Sequence, residues 1–323
     1  MIQGFWAEIK KPFFVLAPMA DVTDVAFRRV IAKYGKPDVT WTEFVSADGL
    51  FLATDEGREK IEHDLLYTEN ERPIVVQFFT AHPEMMERAA RHAAELGFDG
   101  FDINMGCPDR SVEKQGSGAA LMKDPKRSQE LIRAAKRGIE RSGRDIPVSV
   151  KTRIGYNKNE LETWLPMLLE VEPAAITVHA RTRKEMSKVP ADWSQVERAV
   201  EIRDALGKKT LIIGNGDALD IEDARKKALE SGCDGVMLGR AIFGNPWLFS
   251  EKKDISIEER LRVLVEHTKL FEELLGGVKS FAVMKKHYKA YVHGWDGAKE
   301  LRMKLMDAAD AAEVEQIISR YIG

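Results

Sequence analysis

The stretch IVVQFFTAHPEMMERAARHAAELGFDGFDINMGCP, residues 74–108, sets two short apolar runs on either side of a helix-period segment. IVVQFF (74–79) and GFDIN (100–104) have the length and composition of buried strands. Between them, PEMMERAARHAAELG (83–97) repeats its apolar residues at helical spacing and ends in Gly97, a residue suited to a left-handed cap. Strand, helix and strand in that order predict parallel pairing through a right-handed crossover.

The unit recurs along the chain. Further runs at 13–18 (FFVLAP), 39–44 (VTWTEF), 148–153 (VSVKTR), 175–180 (AITVHA), 211–216 (LIIGNG) and 235–240 (GVMLGR) bring the number to eight. Most precede helix-period segments such as DPKRSQELIRAAKRGIERSG (124–143), which ends in Gly143. Nearly continuous apolar strands imply burial on both faces. Eight units over this length predict an α/β fold, a (β/α)8 TIM barrel spanning residues 1–250. Periodicity alone leaves a doubly wound open sheet as the alternative. After Trp247 the strands stop, and ISIEERLRVLVEHTKLFEELLGG places Ile257, Leu261, Leu264, Thr268, Phe271 and Leu275 at helical spacing. A smaller all-helical domain is therefore expected over 251–323.

Composition narrows the function. The chain has 323 residues, 44% of them hydrophobic, and a formal net charge of −3, so any nucleic-acid binding needs a local basic patch. Two cysteines without metal-ligand spacing indicate neither a zinc site nor a disulfide framework, and a reducing cytoplasm fits. The segment KKPFFVLAPMA resembles a signal peptide superficially, but its apolar run is short and broken by Pro18, so it reads as a buried strand. No run approaches the ~20 apolar residues needed to cross a bilayer, and a monomer with no membrane association is expected.

In a barrel of this kind chemistry sits at the carboxyl ends of the strands, and these ends are polar. Gln77, Asn104, Lys151, Arg153, His179 and Arg181 all fall there. The glycines of GNGD (214–217) and of Gly239-Arg240 let backbone N–H groups approach an anion, at the loops where this fold usually holds phosphate. The pattern points to a phosphorylated ligand whose polar ring edge meets Gln77, Lys151 and His179. Singly, each residue has an ordinary reading as a surface lysine, a core histidine or a turn. Cys107 stands apart, on a Gly-Pro corner just beyond the fourth strand, whereas Cys233 replaces any small residue before the eighth.

Several motifs carry a resemblance. APMADVTDVAFR (17–28), NMGCP (104–108), VKTRIG (150–155), TVHART (177–182), IGNGD (213–217) and MLGRAIFGNPW (237–247) resemble, in order and spacing, the flavin-dependent tRNA-dihydrouridine synthase family. MKKHYKAYVHGWDGAKELR (284–302) is similar to that family's RNA-binding helical region. The resemblance implies an oxidoreductase that uses FMN to reduce the C5=C6 bond of selected uridines in tRNA, with NADPH as reductant. It implies that Cys107 is the catalytic proton donor to uracil C5. It further implies that Pro18, Met19, Ala20 and Gln77 frame the isoalloxazine and that Lys151 and His179 lie beside it. Asn215, Gly216, Asp217, Gly239 and Arg240 would hold the phosphate, and Asn104, Arg153 and Arg181 would meet the substrate. The chain departs from the family at Asp21, where glycine is commoner, and at RTRKEMSKVPADW (181–193), where a form with tyrosine and glycine is commoner.

Val278 to Lys304 holds seven Lys or Arg against Asp296 and Glu300, a surplus of five, so the rest of the chain carries −8. Read as one helix, this segment puts Lys279, Lys286 and Lys289 on a common basic face for tRNA, with Phe281, Met284, Tyr288 and Tyr291 turned to the barrel. Other readings are an FMN-dependent TIM-barrel reductase of a free small molecule, a Schiff-base lyase using Lys151, and a non-catalytic RNA-binding protein. The small-molecule reductase has no need of the basic tail, the lyase leaves Cys107 unexplained, and the RNA-binding protein does not need the flavin residues.

Overall fold

The computed structural model describes residues 4–323, so the first three residues of the expected barrel segment lie outside it. Eight parallel strands follow one another: β1 (Phe13–Leu16), β2 (Thr40–Ser46), β3 (Ile74–Phe79), β4 (Gly100–Met105), β5 (Val148–Arg153), β6 (Ala175–His179), β7 (Leu211–Asn215) and β8 (Gly235–Leu238). Neighbours in sequence pair from β2 through β8, and β1 pairs with β8. The circle closes through a parallel bridge between Val15 and Val39, just ahead of β2. Closure excludes the open doubly wound sheet.

Local chemistry sets the helix ends. Asp124 caps the helix Pro125–Ser142 by accepting the Arg127 N–H at 3.0 Å, and Gly143 closes it with φ +73°. Gly97 follows the helix Pro83–Glu95 with φ +87°, as its position in the sequence predicts.

Strand register decides what faces inward. Side chains alternate along each strand, so Gln77, Asp102 and Ser149 share one level, Asn104 and Lys151 the next, and Arg153, His179 and Asn215 the level at the mouth. Below these polar layers the barrel is plugged by Trp6, Phe13, Val15, Trp41, Val75, Leu211 and Ile213. Trp6 arrives from the short turn Gly4–Ala7, its ring centre 6.0 Å from that of Trp41. The interior is therefore dry at one end and polar at the other.

Beyond the barrel come the helices Ile257–Leu275, Met284–Tyr291, Ala298–Asp307 and Ala311–Ile322. Leu261, Leu264, Thr268, Phe271 and Leu275 are buried along the first, whereas Ile257 in its opening turn is exposed. These helices dock on the barrel helix Val25–Tyr34, where Lys33 and Tyr34 both bond Glu266, at 2.7 and 2.6 Å. Gly244 lies where a Cβ would meet the Ala290 carbonyl oxygen at 1.9 Å, so only glycine lets the β8 loop pass under the helix Met284–Tyr291. No helix among the described residues is long and apolar enough to cross a membrane.

Candidate active site

A cavity of about 600 Å³ opens at the carboxyl ends of the strands. Its wall holds Pro18, Met19, Gln77, Asn104, Cys107 and Lys151. Arg153, His179, Arg181, Asn215, Gly216, Asp217, Gly239 and Arg240, all predicted site residues, also line it. Ala20 is exposed in the turn beyond Met19 and does not line the cavity. Phe44 and Ser187 line it although nothing in their local sequence singles them out.

The loop carrying Cys107 is fixed from beneath. Asn104 Oδ1 accepts the backbone N–H groups of Gly106 and Cys107, at 3.1 and 2.9 Å. Asn104 Nδ2 donates to Gln77 Oε1 at 2.9 Å, and Gln77 Nε2 donates to Asp102 Oδ2 at 2.6 Å. Ser149 Oγ donates to the other oxygen of Asp102 at 2.5 Å. Three adjacent strands thus share one buried relay that ends on the cysteine loop. Burial pushes the Asp102 carboxyl up to about 6, while Gln77 and Ser149 hold it down. Gln77 and Asn104, read from the sequence as ligand contacts, first position the Cys107 backbone.

Arg153 ties the same loop from the side. Its Nε donates to the Gly106 carbonyl at 2.8 Å, and its Nη1 to the carbonyls of Thr182 and Met186, at 3.2 and 3.1 Å. Arg181 donates through Nε to the Val189 carbonyl at 2.7 Å, through Nη1 to His179 Nε2 at 3.1 Å, and through Nη2 to Asp217. Both arginines were expected at the substrate. They line the cavity, but these donors serve protein acceptors.

Charge in the cavity is mostly positive. Lys151 is half-buried and donates to Asn215 Oδ1 at 3.1 Å; loss of solvent around it, then Arg153, pulls its ammonium down to about 8, so it stays largely charged at neutral pH. His179 is pulled well below the usual range by burial and by the cations around it, so its ring is neutral. Because a guanidinium can only donate, His179 Nε2 is the acceptor and Nδ1 carries the hydrogen. Asp217 sits at φ +52° and receives Arg181, Arg240 and the Ala191 N–H. Its carboxylate would repel a phosphate, so it holds the arginines in place instead. Gly216, at φ +127°, passes so close to Ala191 and His179 that a Cβ there would meet the Ala191 Cβ at 2.8 Å. The Cys107 thiol is pushed up by burial, against smaller opposing effects of Lys151 and Arg153, and is protonated at neutral pH.

The basic segment divides differently from the single-helix reading. The helix covers only Met284–Tyr291, following a short turn at Phe281–Val283, so Lys279 lies outside it. Lys279 Nζ binds Glu43 Oε2 at 2.6 Å and Asp64 Oδ1 at 3.0 Å. Glu43 in turn accepts the Asp21 N–H. Burial opposes charge on Lys279, but Glu43 and Asp64 keep the ammonium ionised. Lys279 is therefore a clamp between the C-terminal segment and the barrel, where Glu43 lies on β2 and Asp64 in the turn His63–Leu65, and its charge is neutralised. Met284, Tyr288 and Tyr291 are buried as expected. Lys286 is half-buried, while exposed Lys289 joins Lys299 and Arg302 around a groove of about 350 Å³.

Comparison with known proteins agrees with this architecture. The chain is 40% identical to a probable tRNA-dihydrouridine synthase 2 of Bacillus subtilis, covering 99% of this chain and 97% of the relative. It is 38% identical to a probable tRNA-dihydrouridine synthase of Staphylococcus aureus, covering 99% and 96%. Among solved structures, histamine dehydrogenase from Rhizobium sp. 4-9 shares the barrel, with a TM-score of 0.54 and 11% identity over 80% of this chain and 48% of the other. The family model described as dihydrouridine synthase matches residues 15–322. With that match and those identities, the chain belongs to the dihydrouridine synthase family.

Proposed function

We propose that this protein is a tRNA-dihydrouridine synthase that takes FMN and NADPH and uses Cys107 as general acid. The observation that carries the reading is the Cys107 loop, held by Asn104 and Arg153 at the wall of a cationic cavity. The cavity suits FMN on its own chemistry. Lys151 is a half-buried cation without a carboxylate bonded to it, as an anionic ring requires. Gly216, Gly239 and Arg240 line the cavity together, and backbone N–H groups beside a guanidinium suit a phosphate. Lys151 and His179 would hold the ring, and Arg240 with Gly216 and Gly239 the phosphate. FMN held there would supply hydride chemistry toward uracil C6, with NADPH as the source of reducing equivalents.

The chain's own groups do the rest. Uracil leaves its RNA stack to enter the cavity. The Cys107 Sγ–H gives its proton to C5, and its thiolate is reprotonated from solvent before the next turnover. A positioned acid of this kind typically contributes ~10²–10⁴-fold. Asn104 and Arg153 keep the thiol's loop from drifting.

The test is direct. Enzyme given NADPH and tRNA lacking dihydrouridine is expected to form dihydrouridine, counted by mass spectrometry, and to leave free uridine nearly untouched. A protein that purifies without flavin, or that prefers free uridine, would overturn the reading in favour of another activity.

Two variants probe the binding surfaces. Arg240→Ala is expected to purify with less FMN because it loses a charge-assisted contact, while riboflavin binds about as well as to the parent. Equal FMN affinity in both proteins would remove Arg240 from the phosphate site. Lys289→Glu combined with Lys299→Glu is expected to weaken tRNA binding and to flatten its log–log salt dependence by about two, one per lost phosphate contact. An unchanged slope would move the docking surface elsewhere.

A further inference from the structure

The segment after β6 is tied to the barrel by the bonds from Arg153 and Arg181, by the Ala191 N–H donating to Asp217 at 2.8 Å, and by Trp193 Nε1–H donating to the Gly216 carbonyl at 2.8 Å. It is a fixed lip rather than a lid. Its apolar side chains nevertheless face solvent. Met186 and Val189 are each 40% exposed, and Leu219 on the adjoining β7 loop, which lines the cavity, is 76% exposed. Met186 has φ +54°, a conformation that large side chains rarely take, and the turn there sets Ser187 against the cavity. Exposed Lys184 and Lys188 flank Met186 and form no ion pair among the described residues. Apolar side chains held rigidly in water beside free cations, at the mouth of a cavity, match a ligand that is flat and apolar on its faces and anionic along its backbone.

We propose that Met186, Val189 and Leu219 form a wedge that fills the gap left in the RNA stack by the extruded uridine, with Lys184 and Lys188 on the flanking phosphates. This rests on the tRNA reading above. Opening a stack costs a few kcal/mol, and apolar side chains pushed between bases offset that cost in other nucleic-acid complexes. Two of its three side chains, Met186 and Val189, belong to the loop at 181–193 whose sequence differs from the family's commoner form.

The experiment uses the flavin-loaded enzyme and Met186→Asn combined with Val189→Thr. Asparagine tolerates the positive φ, and threonine keeps the shape of valine. The expected result is a kcat/KM on tRNA lowered about tenfold, equivalent to ~1.4 kcal/mol, with flavin content and NADPH oxidation as in the parent. In tRNA carrying 2-aminopurine beside the uridine that the parent reduces, fluorescence should be bright in the parent complex and quenched in the variant complex. Equal turnover and equal fluorescence in the two enzymes would overturn the wedge while leaving the activity standing. A parent that makes no dihydrouridine would overturn the activity itself. Lys184→Gln with Lys188→Gln should lower the salt slope by about two; an unchanged slope would count against the phosphate contacts.

Discussion

Cys107→Ala is expected to fold, to bind flavin and to oxidise NADPH like the parent, yet to form dihydrouridine in tRNA ~10²–10⁴-fold more slowly. The separation follows from where the thiol stands. Its loop hangs from Asn104 through backbone N–H groups, which alanine keeps, so the relay through Gln77 and Asp102 survives the change. Only the Sγ–H is lost. The pH profile supplies a second readout. The thiol, raised by burial, is the active form below its own pKa. Lys151, held near 8, loses its charge first as pH rises, so the parent's alkaline decline should begin there. Dihydrouridine formed by Cys107→Ala at the parent's rate would end the assignment of the thiol as acid.

The strands were legible because burial on both faces leaves uninterrupted apolar runs. IVVQFF and VSVKTR match β3 and β5 residue for residue, and the other runs differ from the observed strands by one or two residues at their ends. Cavity residues at the strand ends were legible for a related reason, since a polar side chain closing a buried strand has few other places to go. What joins those residues was not legible. The relay Asn104–Gln77–Asp102–Ser149 depends on the lateral register of three strands, which period-two patterning does not specify. Arg153 reads as a substrate contact until the course of the loop after β6 is known. Lys279 lies 236 residues from Glu43 in sequence, and no local signal pairs them. The helical stripe assigned to Lys279, Lys286 and Lys289 failed for a local reason: Ser280 caps the short turn at Phe281–Val283, so regular helix starts only at Met284.

Acid is expected to loosen the C-terminal helices before it unfolds the barrel. His267 and His287 stand between the helices Ile257–Leu275, Met284–Tyr291 and Val25–Tyr34, with ring centres 4.6 Å apart. Phe27 stacks on His267 at 4.7 Å and meets the edge of His287 at 5.0 Å. None of the four ring nitrogens has a hydrogen-bond partner among the described residues, nor do the hydroxyls of Tyr288 and Tyr291 beside them. Burial pulls both histidines down, with mutual repulsion adding at His267 and Lys286 adding at His287, which falls to about 3. No carboxylate offsets these effects. Unfolded histidine takes a proton near 6.5, whereas the folded pair refuses it until far lower pH. The stabilisation is therefore complete above pH 6.5 and is lost as pH falls from there toward 3, at roughly 1 kcal/mol per pH unit for each histidine. Thermal midpoints of the parent should fall steeply across that window, with protease cutting first in residues 251–323. His267→Phe and His287→Phe, made separately, should each make the decline shallower, because a neutral ring has no proton to gain. Parallel curves for parent and variants would show that the pair does not set the acid limit, and would leave the protonation of barrel carboxylates as its cause.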